Sequence, residues 1–165
     1  MPKIKQLVED AINECFGGET KESMLEFVAH MRQKRMSPVQ SFTNSWICRH
    51  KENVVCRFNL DGNVMRIAPI VDEHDGNSLS DKMKETVWAN AKSRPCGDSC
   101  HVLLGDGYDC GYSAKTLFGK ELNDFCANSI VFINPNANDV ECLKMLIELR
   151  VETIHAKNLR YGKPR

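Results

Sequence analysis

Residues 45–71 read SWICRHKENVVCRFNLDGNVMRIAPIV, and this stretch decides the fold class. Three runs within it, 45–49, 54–59 and 64–71, are rich in β-branched and aromatic side chains, with short polar turns between them. Asp61-Gly62 is a hairpin signal, because a two-residue turn needs the left-handed backbone that glycine adopts without steric cost. The stretch therefore predicts a three-stranded antiparallel meander. Successive side chains on a strand point to opposite faces. Parity puts Trp46, Cys48, Val54, Cys56, Phe58, Met65 and Ile67 toward a core, and Ile47, Arg49, Val55, Arg57 and Arg66 on the other face.

Helical patterns flank the meander. In 4–16, Ile4, Leu7, Val8, Ala11, Ile12 and Cys15 share one face, and Gly17-Gly18 ends the run. Thr20 is the expected cap of a second helix reaching about residue 35, with Met24, Phe27, Val28 and Met31 as its buried stripe. A third helix starts after Ser78 or Ser80 and carries Leu79, Met83, Val87 and Trp88. Residues 129–133 read as a fourth strand and Asn134-Pro135 as a turn. Asn138 and Glu141 form the expected capping box of a last helix with Val140, Leu143, Ile147, Val151 and Ile154 on its core stripe. The expected fold is α+β, one domain over 1–165. It comprises a helical part at 1–36, the meander at 45–71, a long Cys-rich loop at 93–126, and a strand plus helix at 129–156. About four antiparallel strands carry helices mainly on one face.

Composition narrows the function classes. The chain has 165 residues, 42% of them hydrophobic and 27% charged, which fits a globular domain. Basic and acidic residues balance at 22 each, so no long-range field draws the chain to nucleic acid or anionic lipid. No apolar run is long enough to span a bilayer, and the first residues carry no apolar signal core. A cytoplasmic location is the expectation, with the eight cysteines in a reducing compartment as thiols or metal ligands rather than disulfides.

Cys96, Cys100, His101 and Cys110 fall close together, and Cys126 follows. Zinc takes about four nitrogen or sulfur donors at tetrahedral corners, and thiolates suit it because they are soft and lose their protons on binding. A metal clip would also order an irregular loop of this length. Chain neighbours rarely bind one ion together, so the expected set is Cys96, Cys100, Cys110 and Cys126, with His101 as substitute ligand. Inert buried thiols and redox or iron–sulfur chemistry stand as the alternatives. Cys15, Cys48, Cys56 and Cys142 sit inside predicted elements and read as core.

The segment Phe118-Gly119-Lys120-Glu121, then Cys126, Phe132-Ile133-Asn134-Pro135 and Glu141-Cys142-Leu143-Lys144, resembles a group of uncharacterised bacterial proteins. Their C-terminal halves carry a cysteine cluster, a Phe-Gly-Lys-Glu segment, another cysteine, an Asn-Pro turn and a last amphipathic helix. The region around Ser45-Trp46 and the following hairpin is similar to the same group. The resemblance implies a bacterial source and favours Cys96, Cys100, Cys110 and Cys126 as a set. It brings no activity with it.

Other candidates are thinner. Arg49, Arg57 and Arg66 share a face by parity and form a candidate anion site, since guanidinium groups bind carboxylate or phosphate bidentately. The competing reading is a solvated face whose arginines pair with nearby carboxylates. His30, His50, His74 and His155 show no assignable acid partner. The basic clusters at 30–35 and at Lys157, Arg160, Lys163 and Arg165 would serve phosphate contact, but no DNA-binding motif accompanies them. The expected function is a non-enzymatic binding or regulatory module with structural zinc. A thiol enzyme or redox sensor is the first alternative and a DNA-associated regulator the second. Partners are expected to be a ligand or protein, with no membrane; Ile47 and Val55, as exposed strand positions, point to a homodimer.

Overall fold

The computed structural model describes residues 5–71, 78–91, 113–125 and 130–161. Helices α1 (Val8–Cys15) and α2 (Gly18–Gln33) lead into strands β1 (Val39–Phe42), β2 (Ser45–His50), β3 (Asn53–Asp61) and β4 (Val64–Pro69). Helix α3 (Asp81–Asn90), the hairpin β5 (Ser113–Leu117) and β6 (Lys120–Phe125), strand β7 (Phe132–Ile133) and helix α4 (Ala137–Tyr161) follow. The fold is α+β. Five strands make one antiparallel sheet in the order β1-β2-β3-β4-β7, and β5 with β6 makes a second, two-stranded one.

The meander forms because its turns fit its strands. Asp61 pairs with Val64 across Gly62, whose φ of +62° is the left-handed turn the Asp-Gly pair announces. The β2–β3 connection is less expected. Lys51 and Glu52 bridge His50 and Asn53 with φ of +46° and +69°, although neither is glycine or asparagine. Packing of the two strands holds a turn that the local sequence disfavours.

Helices cover one face of the sheet. Helix α4 packs on β3, β4, α2 and α3, and α1 packs on α2. Trp46, Cys48, Cys56, Phe58, Met65 and Ile67 meet Ile12, Met24, Phe27, Met31, Leu143, Ile147 and Ile154 in one buried cluster. The rings of Phe27 and Phe58 lie 5.8 Å apart between centroids. Buried Trp46 keeps its indole satisfied by donating to the Gln6 carbonyl at 2.9 Å. Trp88, half-buried on α3, donates to the Leu117 carbonyl at 2.9 Å and tethers the small hairpin, with the Lys120 ammonium 5.2 Å above its ring.

The large sheet gains a fifth strand because β1, a short edge strand after Ser37-Pro38, pairs with β2. Several local expectations are corrected. Residues 113–125 form a hairpin whose turn residues, Phe118 and Gly119, both have positive φ, and an exposed glycine with a buried phenylalanine gives little turn signal. Val55 is fully buried and Val54 is not, the reverse of parity. The register slips between Cys48 and Arg49, so Val55 is an extra residue in β3 and turns inward beside Cys56. Leu7 precedes α1 and is exposed, and Cys15 is exposed at its end. Gly17, not Thr20, is the N-cap of α2. The capping box of α4 is Asn136 with Asp139, two residues before the expected pair. The Asp139 amide donates to Asn136 Oδ1 at 2.9 Å, and the Asn136 amide donates to Asp139 Oδ2 at 3.2 Å. On α3, Ser80 accepts from the Met83 amide at 3.2 Å, as a cap should.

Candidate functional site

The outer face of the five-stranded sheet is the site that the described residues build. Two rows cross it. Phe42, Ser45, Asn59, Arg66 and Ile133 are successive partners in one row, and Val39, Ile47, Arg57 and Ala68 in the next. None of these residues joins the buried core. Antiparallel sheets tolerate this, since one face can pack while the other meets solvent. This face, however, is more apolar than a solvated one requires. Phe42 is 78% exposed, Val39 48% and Ile133 42%, with half-buried Ile47 between the edges.

The three arginines run diagonally across this patch on β2, β3 and β4. Arg57 faces Ala68, and Arg66 sits two positions before Ala68 on the same strand. Diagonal neighbours of this kind are roughly 7–8 Å apart, so their positive charges reinforce one another. Arg49 lies beyond Ile47 and opposite Val54, past the register slip. Arg66 reaches Asp61 at 3.6 Å. Arg49 and Arg57 have no ion-pair partner among the described residues. The slip leaves Arg49 on the outer face because the extra residue, Val55, is taken up by β3.

Three of the described cysteines, Cys48, Cys56 and Cys142, are buried, and Cys15 is exposed. Burial pushes the Cys48 thiol up to about 12, against a weaker opposing pull from the Arg32 charge. Burial likewise raises Cys142 to about 12 and Cys56 well above its ordinary value. Cys48 and Cys56 face each other across β2 and β3 as free thiols. At neutral pH burial keeps these three thiols protonated, which disfavours nucleophilic chemistry at them in the folded domain.

No family model matches the chain, and no curated protein or solved structure matches it either.

Cys96, Cys100, His101, Cys110 and Cys126 lie outside the described residues, as does His74. Among the described residues, no three His, Cys, Asp or Glu side chains are placed to hold a metal ion together. No helix among them is long and apolar enough to cross a membrane. The basic cluster at 30–35 is largely engaged within the fold. Arg32 holds Glu9 through two hydrogen bonds, and Lys34 lies 3.6 Å from Glu148. His30 is half-buried with Nε2 shielded, 3.9 Å from Glu148 and short of a hydrogen bond.

Two histidines meet that no motif pairs. His50, at the end of β2, and His155, on α4, bring their Nε2 atoms to 3.3 Å. Burial, with the nearby His155 and Lys51 charges, holds the His50 ring below its ordinary value. They are 105 positions apart, and no spacing rule links residues so distant. Phe42, Val39 and Ile133 were also missed as site residues, because a two-residue strand and a four-residue edge strand carry almost no periodic signal.

Proposed function

We propose that this domain is a non-enzymatic binding or regulatory module that docks an acidic protein segment on the outer face of its sheet. One observation carries the reading: Arg49 and Arg57, without ion-pair partners among the described residues, stand among the exposed apolar side chains of Phe42, Val39, Ile47 and Ile133. Guanidinium forks fit carboxylates bidentately, and the apolar neighbours lower the local dielectric around such pairs. The matching partner carries glutamates or aspartates beside apolar side chains.

Charge selects among occupants. A second copy of the chain would set the same arginines against one another across a two-fold axis, so a homodimer through this face is disfavoured. Single-stranded nucleic acid would need a series of aromatic platforms, and the face offers one phenylalanine at its edge. The high thiol pKa values of Cys48, Cys56 and Cys142 favour a binding role over thiol chemistry at those positions. A closed zinc site at Cys96, Cys100, Cys110 and Cys126 belongs to the same reading, because four protein ligands leave no position for a reacting water.

Fluorescence anisotropy with a labelled peptide of glutamates and leucines tests the proposal. Binding that weakens with salt and is lost in the Arg49→Glu, Arg57→Glu double variant supports it. Equal affinity of wild type and double variant for that peptide, or tighter binding of a labelled single-stranded RNA, overturns it.

A further inference from the structure

His50 and His155 stand on two elements that the fold anchors. His50 ends β2 on the helix side of the sheet, in register with Asn53, and the tight Lys51-Glu52 turn follows it directly. His155 follows buried Ile154, which anchors that turn of α4 in the core. Two elements from opposite ends of the chain thus present one imidazole each to a common point.

The rings meet tip to tip. Their Nε2 atoms are 3.3 Å apart, their centroids 5.3 Å apart, and their planes are inclined at 48°. A direct hydrogen bond from a ring N–H is best near about 2.9–3.0 Å, so this contact is long for one. Two imidazole nitrogens bound at about 2.0–2.1 Å to one tetrahedral ion stand roughly 3.4 Å apart. The observed separation matches the bite of a chelating pair with little movement of either ring.

We propose that His50 and His155 chelate a divalent transition-metal ion of the class that imidazole prefers, zinc, nickel or copper(II), through both Nε2 atoms. Each ring binds as the neutral tautomer with its proton on Nδ1. Where an Nε2 carries the proton in the free pair, that proton moves through solvent to Nδ1 of the same ring, so the neutral pair takes up the ion without net proton release. Among the described residues no third His, Cys, Asp or Glu completes the set, and water fills the remaining positions. The neighbouring Lys51 charge opposes a cation and limits the affinity. The bound ion would pin the second half of α4 to the β2–β3 turn. The proposal draws on neither the cysteine set nor the acidic-partner reading.

The test is a zinc chloride titration of the full chain, followed through the imidazole ¹⁵N resonances, which report each histidine by itself whatever the thiols bind. The expected result is that the Nε2 signals of His50 and His155 shift together and saturate, while His30 does not move. His50→Gln and His155→Gln should each leave the remaining ring weakly responsive, with apparent affinity down at least about tenfold. Zinc should raise the melting temperature of wild type more than that of either variant. Rings that ignore zinc, or a ring that binds equally well after its partner is replaced, would overturn the proposal.

Discussion

Asn134 takes both main-chain groups of Met65. Its amide donates to the Met65 carbonyl at 2.9 Å, and its side-chain Oδ1 accepts from the Met65 amide at 2.8 Å. It does so with φ at +44°, a conformation asparagine tolerates better than most residues. This closes β4 at its outer edge and sets β7 beside it. Asn134→Ala removes the acceptor and keeps the unfavourable φ, so a loss of about 2 kcal/mol is expected in urea unfolding. Asn134→Gly, which relieves the backbone but not the lost acceptor, should lose less.

The Lys51-Glu52 turn carries the opposite opportunity. Both residues sit in the left-handed region, at a cost of roughly 1 kcal/mol or more each. Glu52→Gly should therefore stabilise the domain by about 0.5–1 kcal/mol, the larger entropy of the unfolded glycine offsetting part of the relief. A higher urea midpoint at unchanged slope is the expected result.

Glu9 and Arg32 join α1 to α2. The Arg32 guanidinium, bonded to both carboxylate oxygens, holds Glu9 below its ordinary value of 4.5, with burial opposing. A carboxyl whose folded pKa is depressed adds stability above its unfolded pKa and loses it as pH falls through the folded one. Both side chains are partly exposed, so Glu9→Gln should cost about 1 kcal/mol at pH 7 and the difference from wild type should vanish in acid below that range. Denaturation curves at several pH values check this.

His30 gives a second pH dependence, at milder acidity. Burial, then the Lys144 charge, lowers its pKa below 6.5; Lys34 acts in the same direction, while Glu148 and Glu141 oppose. The unfolded chain binds the proton more readily than the folded one, so stability falls as pH drops below about 6.5 and levels off beneath the folded pKa. His30→Gln should flatten that part of the profile.

Native thiol titration should separate the described cysteines. Cys15 is exposed and should react quickly, whereas Cys48, Cys56 and Cys142 should wait for unfolding. Thiols beyond these that become reactive only after chelation would report the zinc expected at Cys96, Cys100, Cys110 and Cys126, and elemental analysis would identify the metal.

The meander was legible because its signals are local. Alternation from Ser45 onward and the Asp61-Gly62 turn need no tertiary context, and the core stripes of α2 and α4 repeat often enough to be read. What was not legible depends on distant partners. Val55 turns inward because the register slips opposite Cys48 and Arg49, and alternation within a single strand cannot contain that slip. Strand β1 exists because β2 offers it an edge. The capping box fell at Asn136 rather than Asn138 because both asparagines precede a suitable acid three residues on. The arginines of the candidate face and Ile47 could be named from parity, but Phe42 and Ile133 could not, since they reach it only through strand pairing.

The most direct test of the binding-face account is a ¹⁵N-edited NMR titration with the glutamate–leucine peptide. The account predicts shifts confined to the outer rows, at Ile47, Arg49, Arg57, Arg66 and Ile133, and their loss when Arg49 and Arg57 are reversed in charge. Shifts clustered on the helical side, or unchanged in the charge-reversed protein, would contradict it.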